Sequence, residues 1–149
     1  MPRVEKLVMA QADYDRIVER ARRELPNEAC GLIAGTVAGE GADAVGAIEH
    51  VYLLTNIDAS NEHFSMAPAE QLAAVKDARA NGWELLGNWH SHPETPSRPS
   101  EEDKRLAYDS SAAYLILSLE HRDEPVLKAF HVESDKQVNR VPLEISEAR

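Results

Sequence analysis

The chain has 149 residues, 43% of them hydrophobic, and a formal net charge of -10 at neutral pH. That length suits one domain, expected to span residues 1–149 with its core at 7–132. The acidity speaks against a nucleic-acid binder or an anionic membrane surface, both of which call for basic patches. No apolar run approaches a membrane span, and Met1–Lys6 lacks the apolar stretch of a signal peptide. The single cysteine, Cys30, excludes an internal disulfide framework, and the expected location is the cytoplasm.

Val4–Ala10 reads as a first edge strand. Ala12–Leu25 reads as a helix, because Tyr14, Ile17, Val18, Ala21 and Leu25 share one face; Pro26 and Asn27 stop it. Cys30–Val37 is apolar and bounded by glycines, the pattern of a buried strand. After a turn at Gly39–Gly41, Ala44–Asn56 makes a long strand. Ile57–Ala67 has no clear period and is expected to form a loop near the site, carrying Asn61, His63 and Phe64. Pro68–Asn81 is a helix with Leu72 and Val75 inward, closed by Gly82.

Glu84–His92 is a strand entering the centre of a sheet, followed by a proline-rich loop, Pro93–Pro99. Ser100–Asp109 is a short helix, and Ala113–Leu119 and Pro125–Val132 are apolar strands. Val138–Leu143 adds a last edge strand, and Glu144–Arg149 is expected to fray. The interleaving of strands and helices indicates an α/β fold.

One stretch carries chemistry. His90-Ser91-His92-Pro93, then Ser100 and Asp103, spells H-x-H-x7-S-x2-D. Strand side chains alternate, so His90 and His92 point to one face. Asp103 can add an oxygen from the first turn of the next helix, and two His, one Asp and an open fourth position make the ligand set of a catalytic zinc site. Taken alone, each piece has a plainer reading. A His-x-His pair is commonly surface or core, and Ser100-Glu101-Glu102-Asp103 is an ordinary helix start.

The pattern resembles the JAMM (MPN+) family of zinc metallopeptidases, whose motif is a distant upstream Glu followed by H-S/T-H-x7-S-x2-D. Leu25-Pro26-Asn27-Glu28-Ala29-Cys30-Gly31-Leu32 resembles the P-x-E-x-C-G-L segment of its bacterial branch. The resemblance implies a cytidine-deaminase-like fold, a mixed curved β-sheet flanked by helices. It implies zinc (Zn2+) on His90, His92 and Asp103, Glu28 as general base and Ser100 as oxyanion donor. The compact chain, with no insertion after Asp103, is similar to relatives that cut beside the C-terminal Gly-Gly of a ubiquitin-like sulfur-carrier protein. An exposed strand edge near Asn56–Phe64 is the expected docking place for such a tail.

Three rival readings are weighed against it. A non-catalytic scaffold of the same fold typically lacks one or more motif residues, and all five are present here. A zinc deaminase needs a P-C-x-x-C pair, and there is only Cys30. A thiol mechanism at Cys30 is set against its place in an apolar strand, where cysteine is usually a small buried hydrophobe. Ser91 points to the opposite strand face and is read as structural, Trp83 and Trp89 as core or rim aromatics. The sequence leaves the oligomeric state open, a homodimer included.

Overall fold

The apolar runs become strands in a computed structural model that describes residues 1–147. The strands are β1 (Lys6–Ala10), β2 (Cys30–Ala38), β3 (Val45–Leu54), β4 (Glu84–His92), β5 (Ala113–Ser118), β6 (Val126–Val132), β7 (Val138–Val141) and β8 (Leu143–Ser146). The helices are α1 (Gln11–Glu24), α2 (Pro68–Ala80) and α3 (Glu101–Arg105). All eight strands join one mixed sheet in the order β7-β6-β5-β4-β2-β3-β1-β8. β1 runs parallel to β3 and β8, and β4 parallel to β5; the remaining neighbours are antiparallel.

β7 and β8 stand at opposite ends of that order, yet Pro142 alone separates them in the chain. The sheet must therefore curl until its ends meet, and it is nearly closed. Pro142 has no N–H and cannot continue a ladder. Its carbonyl instead accepts from Leu7 N at 2.9 Å. The larger core cluster fills the curl, with Ile17, Val18 and Ala21 of α1 meeting Leu7, Trp89, Leu115 and Val141. α2 covers the other face through a smaller cluster of Ala74 and Ala78 with Leu32, Tyr52 and Leu54.

Several expectations change here. Leu72 is 55% exposed rather than inward, and Val75 is half-buried. α2 rests on Ala74 and Ala78 because small side chains let its axis approach the sheet. β1 lies between β3 and β8 and is not an edge. The expected strand 138–143 is two strands broken at Pro142, and Glu144–Ser146 are paired with β1 rather than frayed. Ala148 and Arg149, part of the expected fraying tail, lie outside the described residues. α3 stops at Arg105, short of Asp109, since none of its residues is buried to extend it.

β4 carries the feature that aims the site. Gly87 pairs with Ile33 and Leu85 with Ala34, so Leu86 is an extra residue, a bulge. The bulge resets the alternation. Leu85 packs with the α2 cluster and Leu86 with the α1 cluster. Beyond it, Trp89 joins the α1 cluster, which leaves Asn88, His90 and His92 on the α2 side.

Gly31 of β2 has no room for a side chain. A Cβ there would lie 1.8 Å from Tyr52 O and 2.3 Å from Trp89 Nε1. Through that gap the Trp89 indole N–H donates to Tyr52 O at 3.0 Å. Gly31→Ala is therefore expected to cost about 3 kcal/mol or more of folding free energy, the upper range of overpacking. Urea denaturation measures it, and an unchanged midpoint would contradict the close approach.

Candidate active site

His90 and His92 are 2% and 4% exposed, at the C-terminal end of a strand paired on both sides. Their Nε2 atoms stand 3.1 Å apart. Asp103 Oδ2 lies 3.2 Å from His90 Nε2 and 3.0 Å from His92 Nε2. Asp103 arrives there through a capping box at the start of α3. Ser100 Oγ accepts from Asp103 N at 3.0 Å, and Asp103 Oδ2 accepts from Ser100 N at 2.9 Å. The helix start thus fixes the direction of the carboxylate.

The donor set fits a divalent cation. Three ligand atoms of types that zinc accepts converge on one point from buried or half-buried side chains. The ring of His92 is already oriented, with Nδ1 donating to Pro96 O at 3.0 Å and Nε2 left toward the cluster. The buried Nδ1 of His90 meets no partner. Burial lowers the pKa of His90 despite its bond to Asp103, favouring the neutral, ligating ring. Burial also opposes charge on His92, but its bonds to Asp103 and Pro96 outweigh that and raise its pKa. Asp103, desolvated yet bonded by both rings, is held well below the usual carboxylate range.

Glu28 reaches the same place through strand register. Cys30 pairs with His90, and Ala29 O accepts from Ser91 N at 3.0 Å. Carrying that register on sets Glu28 opposite His92, on the same sheet face. Ser91 faces away as expected, and its Oγ accepts from Ala29 N at 2.8 Å, which holds the segment down. Glu28 is 3% exposed and its Oε1 has no partner. Burial pushes its pKa up to about 8, with Asp103 and Glu102 adding to the rise and His92 opposing it.

The loop between β3 and α2 closes over this carboxyl. Glu28 N donates to Ser60 O at 2.7 Å, and Glu28 O accepts from Asn56 Nδ2 at 3.0 Å. Asn56 Oδ1 gathers the loop by accepting from Asp58 N and Ser65 N. Asp58 Oδ2 accepts from Ser65 Oγ at 2.8 Å and pairs with His63 Nδ1 at 3.0 Å. Phe64 stacks on the His90 ring, with centroids 4.7 Å apart. A cavity of about 240 Å³ opens between this loop and α3, lined by His63, Phe64, Asn88, Asp103, Leu106 and Tyr114 among others.

The structure thus brings together Glu28, His90, His92, Ser100 and Asp103, and it brings His63 and Phe64 to the cavity. Cys30 is fully buried and burial pushes its thiol up to about 12, which leaves no nucleophile there. Trp89 is core. His131, on β6, is 2% exposed and belongs to the core. Sequence reasoning missed Asn56, Asp58 and Asn88. The period of two that pairs His90 with His92 also reaches Asn88; nothing local marks Asn56 as the loop's organiser.

A curled mixed sheet with a His-x-His strand and a carboxylate from the next helix defines the class. The chain belongs to the family described as prokaryotic homologs of the JAB domain, which matches residues 10–132. It is 29% identical over 142 residues to the CysO-cysteine peptidase of Mycobacterium tuberculosis, covering 95% of this chain and 92% of that protein. It is 26% identical over 121 residues to the desampylase of Haloferax volcanii, covering 78% and 84% of the two chains. The solution structure of a Desulfitobacterium hafniense protein superposes with a TM-score of 0.82 at 49% identity, over 95% of this chain and 93% of that one. A JAB1/MPN domain protein from Archaeoglobus fulgidus, at 22% identity and a TM-score of 0.57 over 93% and 98% of the two chains, shares the fold. Among the described residues no helix is long and apolar enough to cross a membrane.

The buried Glu28 has a measurable consequence. Its folded pKa lies above the ordinary 4.5, so the folded chain keeps a proton that the unfolded chain has released. The stability of the metal-free chain should therefore fall as pH rises from 4.5 through about 8. Glu28→Gln removes that loss. The metal-free variant should melt above the metal-free native chain, with a gap that widens across the window. A gap independent of pH would show that burial does not load this carboxyl.

Proposed function

We propose that the chain is a zinc-dependent hydrolase that cuts a peptide or isopeptide bond after the C-terminal Gly-Gly of a ubiquitin-like sulfur-carrier protein in the cytoplasm, releasing cysteine or another adduct. The observation that carries the reading is the buried carboxyl of Glu28, its Oε1 without a partner, beside three converging ligand atoms. The names of two relatives, a CysO-cysteine peptidase and a desampylase, support a small ubiquitin-like protein as substrate.

His90, His92 and Asp103 would hold the cation. When bound, it supplies Lewis acidity that activates water at neutral pH and polarises a carbonyl. Glu28 takes a proton from the attacking water and passes it to the leaving amine. Its burial suits both steps, because a raised pKa makes the carboxylate a stronger base and keeps the acid form useful near neutrality. Ser100 Oγ uses one lone pair on Asp103 N, so its O–H remains free to donate to the developing oxyanion. The same residue therefore aims a ligand and faces the reaction. The segment between α3 and β5, residues 106–112, is too short for an added gripping element, and a narrow substrate tail suits the space.

Glu28→Gln should abolish turnover of a carrier bearing a C-terminal Gly-Gly-cysteine while one zinc per chain is retained. Metal analysis and product release by mass spectrometry measure both, and near-normal turnover would remove Glu28 from the reaction. Ser100→Ala should lower kcat by about 10²-fold, the scale of one oxyanion donor. The native chain should prefer this carrier over linked diubiquitin; cleavage of diubiquitin alone would overturn the substrate while leaving the hydrolase.

The acid limb of kcat/KM should lie between 4.5 and about 8. Burial lifts Glu28 from the lower value, and the positive charge of the cation pulls it back from the upper one. Activity rises with pH across that limb as the base ionises, and a rate flat through the window would contradict the assignment.

A further inference from the structure

The cavity meets the ligand cluster from one side. His90 and Asp103 are among its walls, and His92 is not. The ring of His92 instead turns its Nδ1 to Pro96 O, in the loop that follows β4. Glu28 stands opposite His92 by the register of β2 on β4. A substrate laid across the three ligand atoms therefore has its tail on the His90 side. Its leaving group falls on the His92 side, next to the carboxyl that protonates it.

On that side the loop carries one uncommitted cation. Arg98 is exposed, and among the described residues its guanidinium meets no carboxylate, carbonyl or ring. The other cations nearby are engaged: Lys104 with Glu101 at 2.8 Å, Arg105 with Glu102 at 3.6 Å and Arg122 with Glu94 at 2.8 Å. The backbone of Arg98 is held in place. Its N–H donates at 2.9 Å to Pro96 O, the same carbonyl that takes His92 Nδ1. The preceding Ser97 is 6% exposed and its Oγ donates to Ile116 O at 2.6 Å. Ser100, two residues on, is tied to Asp103 in both directions. Arg98 N is thus two hydrogen bonds from one ligand, and the long arginine side chain spans what remains.

An amino acid released through its amine carries a free α-carboxylate one carbon away from the scissile nitrogen. Glu28 and Asp103 would repel that charge unless a cation met it. The planar fork of an arginine matches a carboxylate with two parallel N–H···O bonds. The side-chain amine of a lysine within a folded protein brings no carboxylate at that spacing.

We propose that Arg98 is a substrate-binding residue that pairs with the free α-carboxylate of the leaving amino acid, and so selects carriers bearing a single C-terminal residue over carriers joined to a lysine side chain. The proposal rests on the reading above of a hydrolase acting after a Gly-Gly tail.

The test compares two ubiquitin-fold carriers made by semisynthesis. One ends in Gly-Gly-Cys with its free carboxylate, the other in the C-terminal carboxamide, which removes the charge and keeps the shape. The native chain should cleave the acid with a kcat/KM about tenfold or more above the amide, the scale of hydrogen bonds to a charged group. Added salt should shrink that ratio. Arg98→Gln should bring the ratio to about one, Arg98→Lys should keep part of it, and Arg98→Glu should invert it. The same ratios are read in Kd by calorimetry on zinc-loaded Glu28→Gln, with and without Arg98→Gln. Melting curves and zinc content establish that the variants are folded and loaded. Partial misfolding would lower both carriers alike and leave the ratio where it was.

Equal cleavage of acid and amide by the native chain overturns the proposal. So does an acid preference that Arg98→Gln leaves intact, because the bound cation and not the arginine would then hold the carboxylate. Failure of both carriers to bind overturns it as well. If the acid binds better through Arg98 but the native chain cleaves neither carrier, the hydrolase reading falls and the role of Arg98 in binding stands.

Discussion

One oxygen atom does three jobs in this structure. Asp103 Oδ2 accepts the backbone N–H of Ser100 and meets the Nε2 atoms of both His90 and His92. The first contact belongs to secondary structure, since it is half of the capping box that starts α3. The others belong to the site. A short helix with no buried residue has little else to hold it, so the cap and the contacts of Asp103 with the two histidines stabilise each other. The position of Ser100 follows from the same contact: the residue that closes the helix start is placed beside the His90–His92–Asp103 cluster because Asp103 is.

Glu28 depends on a different support. It sits where the chain leaves α1 and enters β2, with its backbone bonded on both sides by the loop between β3 and α2. That loop is organised internally by Asn56 and Asp58 rather than by regular pairing, apart from the bridge between Asn56 and Met66. The arrangement buries the carboxyl, and burial is the main reason its pKa is raised. The loop also carries Phe64 onto the His90 ring, so it touches both Glu28 and the histidine pair. Any change to Asn56 would therefore act on Glu28 through the backbone, at a distance from its side chain.

How much of this was legible in the sequence follows from how local each feature is. The His90–His92 pair rests on strand alternation, and Ser100–Asp103 on a four-residue cap; both periods can be read directly. Glu28 needs the resemblance, because only tertiary pairing brings it to His92. α1 and α2 were legible in extent, but the short reach of α3 and the inward face of α2 were not. Hydrophobicity favoured Leu72, whereas close approach to the sheet selected Ala74 and Ala78. The bulge at Leu86 and the break at Pro142 were not legible either. A bulge shows only in the partner's register, and the continuous pattern of Val138–Leu143 conceals that its two halves pair with opposite ends of the sheet.

That break at Pro142 bears on how the protein is made. β1 leaves the ribosome before either of its partners, β3 on one side and β8 on the other. Until Leu143–Ser146 emerge, β1 presents an unpaired edge, and Leu143 and Ile145 are missing from the core around α1. The nascent chain therefore has no finished half that can settle early while the rest is translated. Its central strands can assemble, but closure waits for the last strand, and an exposed edge during that interval is where a chaperone would find its handle.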